Sequence, residues 1–253
     1  MEVLPPIKGA FIGRPGNGRR ATQQQNIPDP SRPDIWIPIY EKLKEVLSHP
    51  IKRGNKEVDP YFGYFGYRWH PVIHSPGYFH VGIDIPNKMG TKVYPVAKGI
   101  FEYSGFTSIN GKYILMTHPE IKTEDGFVLS SLYLHLKDAK IKFTTYQKML
   151  REISKHTYPK IEVQSKKIIG EVGNSGDLRG MISHLHLQLE FRNQEGTIIV
   201  INSARALGLT HGENLSRVVA NEDDFIKFCR EHRAMLLSWR EYWGERYLPE
   251  KPN

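Results

Sequence analysis

The stretch Ser183–Phe191 alternates polar and apolar positions without a break. His184, His186, Gln188 and Glu190 lie on one side, and Leu185, Leu187, Leu189 and Phe191 on the other. That is the period of a strand with one apolar face. Two imidazoles at i and i+2 then point the same way, about 7 Å apart at roughly 3.3 Å per residue. Two further segments repeat the construction. In His80–Ile85, Val81, Ile83 and Ile85 form the apolar side, while His80 and Asp84 share the other with Gly82 between them. Alternating β-branched residues between Gly77 and Pro86 favour a strand over a helix. In Ser131–Leu136, Tyr133 and His135 face away from Leu132, Leu134 and Leu136. Laid in one sheet, three such strands bring their polar faces to a single site.

The pattern from about Tyr61 to Ile201 reads as β, punctuated by turn dipeptides. Asn110-Gly111 separates Phe101–Phe106 from Lys112–Thr117, and Asp125-Gly126 precedes Phe127–Leu136. Asn174-Ser175-Gly176 leads into the His184 strand, and Asn193–Gly196 joins it to Thr197–Ile201. Short strands linked this way predict a mainly β, antiparallel sheet of sandwich or half-barrel type with peripheral helices. One such helix is an insertion at about 144–157, where Tyr146, Met149, Leu150 and Ile153 recur at helical spacing. Residues 1–59 read as an irregular, Gly/Pro/Arg-rich arm followed by a short helix from Pro38 to Pro50. That helix carries Ile39, Leu43, Val46 and Leu47. Residues 60–202 form the central domain. Residues 203–253 form a helical extension whose stripe is Phe225, Phe228, His232, Met235, Leu236, Trp239 and Trp243.

Composition narrows the options modestly. The 253 residues, 39% of them hydrophobic, suffice for one generous domain with appendages. A formal net charge of +8 suits an anionic partner, yet the basic residues are spread out and no nucleic-acid motif accompanies them. Nucleic acid is therefore not the expected partner. The single cysteine, Cys229, excludes an internal disulfide framework and a thiolate zinc cluster. No apolar run is long enough to span a bilayer as a helix, and the first residues lack the pattern of a signal peptide.

The chemistry rests on histidine and aspartate. Catalytic zinc takes three N/O ligands and keeps a fourth position for water or substrate. His80, Asp84 and one of the His184/His186 pair would supply such a set, leaving the other histidine and His135 for proton transfer and oxyanion stabilisation. No His-Glu-x-x-His helix is present. Of the remaining histidines, His118 reads as structural and sits at a strand end before Pro119. His70 and His74 fit either the lining of a substrate groove or a plain loop role, and His49, His156, His211 and His232 have no company in the sequence.

Taken together, several segments resemble the lysostaphin/LytM-type zinc peptidases of family M23. They are Gly66–Pro71, His80–Ile85, Gly90–Ala97, Leu132–Leu136, Ile169–Gly176 and His184–His186, in the family's order over about residues 60–200. The resemblance implies one zinc ion on His80, Asp84 and His186, with His135 and His184 as the unliganded catalytic pair. Arg68 and His70 become candidates for substrate contact, with anchoring of the loop the equal alternative for Arg68. It further implies hydrolysis of peptide bonds in peptidoglycan cross-links or stem peptides, at the bacterial cell envelope, in the periplasm or outside the cell. A LytM-like wall-binding regulator without catalysis is the alternative, disfavoured because all five positions are filled.

Overall fold

The computed structural model describes residues 2–13, 25–29, 31–52, 65–68, 78–139, 161–176 and 183–209, with the side chains of residues 66–68 and 78 outside that description. The predicted helices in the insertion and at the C-terminus, His70 and the side chain of Arg68 therefore lie outside the described residues.

The N-terminal segment supplies β1 (Glu2–Leu4), β2 (Phe11–Gly13), β3 (Gln25–Pro28) and helix α1 (Pro33–Val46). A hairpin of β4 (Gly66–Arg68) and β5 (Tyr78–His80) leads to β6 (Ile83–Pro86) and the short β7 (Lys92–Val93). Three long strands follow: β8 (Gly99–Thr107), β9 (Gly111–Thr123) and β10 (Val128–Leu136). After β11 (Asp138–Ala139), β12 (Ile161–Val163) and β13 (Gly170–Glu171) come β14 (His184–Arg192), β15 (Ile198–Ile201) and the single turn α2 (Ser203–Ala206). The main sheet runs β12-β8-β9-β10-β14-β15-β3-β2, with β1 alongside β9 and β6 alongside β14; β11-β13-β7 form a smaller sheet. The fold is mainly β, and the long pairings β8–β9, β9–β10 and β10–β14 are antiparallel.

β14 is the spine. Leu185, Leu187, Leu189 and Phe191 are fully buried in the main core, each stabilising the fold by about 1.5–3 kcal/mol relative to exposure. A slip of one residue would turn all four onto the opposite face, so the register is fixed by burial. One edge of β14 is shared: its first half pairs with β6 and its second half with β15. The opposite face is polar in sequence but also buried. Gln188 Nε2 donates to Glu190 Oε2 at 2.7 Å, and Arg192 Nε donates to Glu190 Oε1. Burial pushes the Glu190 carboxyl above its ordinary range, while Arg192 and Gln188 pull it the other way.

Four expectations about elements change. The N-terminal helix starts at Pro33, not Pro38, and Pro38 lies inside it. The apolar stripe extends one turn back through Trp36, whose Nε1–H donates to the Ala10 carbonyl at 2.6 Å and whose ring lies 6.5 Å from Phe191. The described parts of the expected irregular arm are strands built into the main sheet, with Leu4, Ile7 and Ala10 in its core. The expected single strand His80–Ile85 breaks at Val81-Gly82, so His80 ends one hairpin and Asp84 lies in the next strand, whose pairing begins at Ile83. His118 is inside β9 rather than at its end. Its Nδ1–H donates to the Lys98 carbonyl (3.0 Å), and its Nε2 lies 2.7 Å from Ser131 Oγ, itself 3.0 Å from Tyr133 Oη.

Candidate metal and catalytic site

Cross-strand register sets the site. His186 pairs directly with Asp84 of β6 on one side and with Leu134 of β10 on the other, and directly opposed residues share a face. β5 delivers His80 from its C-terminal end. The result is a tight cluster: His186 Nδ1 lies 2.8 Å from Asp84 Oδ1 and 2.9 Å from His80 Nε2, and His80 Nε2 lies 3.4 Å from Asp84 Oδ1. All three side chains are buried, at 1% exposure for His80, 2% for Asp84 and 5% for His186. Two imidazole nitrogens and a carboxylate oxygen this close repel one another unless a proton or a cation sits among them.

The donor set fits zinc. Its atoms all lie within 4.8 Å of one another. A tetrahedral ion with ligands near 2.0–2.1 Å separates adjacent donors by about 3.3 Å, close to the spacings here. The backbone makes room as well. A Cβ on Gly82 would stand 2.4 Å from the Leu187 carbonyl oxygen and 2.6 Å from His186 Nε2, so only glycine lets the β5–β6 link pass over the His186 ring. The sequence reading placed Gly82 on the polar side without giving it this role; its position midway between His80 and Asp84 was the available signal.

Two more imidazoles complete the cluster. His184 Nε2 stands 3.7 Å from Asp84 Oδ1, farther than His186, and its ring packs edge-on against His135 with centroids 5.1 Å apart. The His135 ring is also 5.9 Å from that of His186. Burial first, then the charges of His186 and His184, push the His135 imidazole down to about 3, so it is neutral at ordinary pH. His135 reaches the site differently from the alternation expected. Tyr133 is not on its side: it sits in the core opposite Leu187, and its hydroxyl accepts a hydrogen bond from Val96 N–H at 2.8 Å. A register shift between Tyr133 and Leu136, with His135 at φ 63°, the one positive φ outside glycine among the described residues, turns the imidazole toward the histidines. Five of the seven predicted site residues, His80, Asp84, His135, His184 and His186, thus come together. Arg68 and His70 are the two that fall outside the described side chains.

Residues 78–198 match the sequence model of peptidase family M23. This segment belongs to that family. Among solved structures, the chain is similar to a zinc-containing peptidase from Vibrio cholerae at 21% identity and a TM-score of 0.42, over 63% of this chain and 38% of that one. It is similar to the catalytic domain of the antimicrobial peptidase lysostaphin from Staphylococcus simulans at 22% identity and a TM-score of 0.36, over 51% and 77% of the two chains. It also matches a mutant catalytic domain of the prophage-encoded M23 protein EnpA from Enterococcus faecalis, at 22% identity and a TM-score of 0.38, over 59% and 92%. No curated protein matches. The M23 segment contains all five clustered residues, from His80 to His186.

Proposed function

We propose that the chain is a zinc-dependent endopeptidase that hydrolyses peptide bonds in bacterial peptidoglycan, in cross-links or stem peptides, and works at the cell envelope or outside the cell. The observation that carries this reading is the convergence of His80 Nε2, Asp84 Oδ1 and His186 Nδ1 within the M23 segment. In this reading those three atoms hold the ion. Zinc so held supplies a Lewis acid for the peptide carbonyl and lowers the pKa of water toward neutrality.

The chain's own residues then handle orientation and protons. Asp84 and the two liganding imidazoles are locked by sheet pairing, so the donors are arranged before substrate arrives. His135 offers one ring nitrogen to take a proton as water adds to the carbonyl carbon. That proton is returned to the amine as the C–N bond breaks, leaving a new carboxyl and a free amino group. His184, packed on His135, is placed to hydrogen-bond the oxygen that gains charge. Arg68 and His70 remain proposed substrate contacts.

The test is chromatography of the soluble products after the purified protein meets peptidoglycan of several cross-link types, with and without chelator. Chelator-sensitive release of uncross-linked peptides is expected, and the released ends name the bond. A protein holding one zinc that releases nothing from any wall type would instead identify a wall-binding regulator of another hydrolase.

A further inference from the structure

One short loop touches both histidines of the proposed catalytic pair. The Gly173 carbonyl accepts a hydrogen bond from the backbone N–H of His184 at 3.1 Å, and the Ser175 carbonyl lies 3.1 Å from His135 Nδ1. A carbonyl oxygen can only accept, so Nδ1 carries the hydrogen and Nε2 is left as the basic nitrogen of His135. The Ser175 hydroxyl holds that carbonyl in place from two sides. It donates to the Leu136 carbonyl at 2.7 Å and accepts from Lys112 N–H at 2.8 Å. His135 N–H, in turn, donates to the Asn110 carbonyl at 3.0 Å. The left-handed backbone at His135 is a conformation that non-glycine residues adopt only when their surroundings impose it. Here the Asn110-Gly111 turn on one side and Ser175 on the other do so. The fit is close: a Cβ on Gly111 would stand 2.2 Å from the Ser175 carbonyl oxygen, the very atom that accepts from His135.

We propose that Ser175 is a positioning residue of the catalytic site: its hydroxyl staples the 109–112 turn to the His135 bulge, so that its carbonyl fixes His135 in the Nδ1–H tautomer with Nε2 free to act as base. This rests on the reading of His135 as a catalytic base, but its test does not depend on turnover. Long-range nitrogen–proton correlation spectra of the zinc-loaded full chain, labelled with nitrogen-15 histidine, report the tautomer directly. Wild type and Ser175→Thr, which keeps the hydroxyl, are expected to show His135 as a single Nδ1–H tautomer. Ser175→Ala and Gly111→Ala are expected to show tautomer averaging or the Nε2–H form, with one zinc still bound.

If wild type cleaves peptidoglycan, Ser175→Ala is further expected to lower kcat about tenfold to a hundredfold with KM little changed, and Ser175→Thr to restore it. A wild-type His135 carrying its hydrogen on Nε2 overturns the proposal without any variant. So does a Ser175→Ala protein whose His135 stays wholly Nδ1–H. Absence of cleavage by wild type would overturn the proposed function alone, because the tautomer is read independently.

Discussion

His184 and His186 are chemically the same side chain two residues apart, and their different surroundings predict different losses. His186→Ala is expected to abolish stoichiometric zinc binding, measured by metal analysis after dialysis. His184→Ala and His135→Ala are expected to keep the metal while losing about 10²–10⁴-fold in turnover. A metal-free His184→Ala protein would reverse the two roles. Gly82→Ala drives a methyl group against the Leu187 carbonyl and the His186 ring; a fall in zinc affinity of at least about tenfold is expected by competition with a chelator. Away from the site, burial pushes the His118 imidazole down from 6.5 to about 4. The unfolded chain therefore binds a proton that the folded chain refuses. The resulting stability is complete above about pH 6.5 and lost as pH falls toward 4, on the order of 3 kcal/mol in all. Denaturant melts of His118→Gln and wild type should consequently converge as pH drops through that window, and parallel curves would refute the assignment. The polar positions of these strands were readable because spacing survives in the letters. The left-handed turn at His135 was not, because the letters from Leu132 to Leu136 keep alternating where the backbone does not.

Elements were legible where one face alone decides them. β14 and the hairpins at Asn110-Gly111, Asp125-Gly126 and Asn193–Gly196 follow the reading closely, since turn residues and alternation agree there. Where several segments compete for the same core, the sequence said less. α1 begins five residues early because Trp36 finds both an apolar bed and a carbonyl partner in segments remote from it in sequence. Trp36→Ala is therefore expected to cost about 3–5 kcal/mol, read from the shift in denaturant midpoint at unchanged slope. Likewise Gln25–Pro28 has no alternation of its own. It is a strand because β15 offers an edge to one side of it and β2 pairs with the other.

At the scale of the molecule, the N-terminal segment behaves as part of the body. Asp125 Oδ2 accepts hydrogen bonds from the backbone N–H groups of Ile7 and Lys8, at 2.9 and 2.6 Å, and β1 lies parallel to the end of β9. Deleting residues 2–13 is expected to lower the thermal midpoint of the whole fold by more than about 10 °C, through lost core side chains. A detachable arm would leave the midpoint unchanged. The net charge of +8 is likewise a property of the whole, and capture on anionic wall polymers is expected to weaken as added salt shortens the screening length.

The pairing of β6 with β14 has a consequence in time as well as space. His186 bonds to residues 102 and 106 positions before it. During synthesis, His80 and Asp84 leave the ribosome long before their partner exists, and an incomplete donor pair holds zinc weakly. Such distant pairings also form slowly. The emerging chain therefore cannot assemble the three-residue donor set until nearly all of the main sheet has been made, so the site is completed only late in translation.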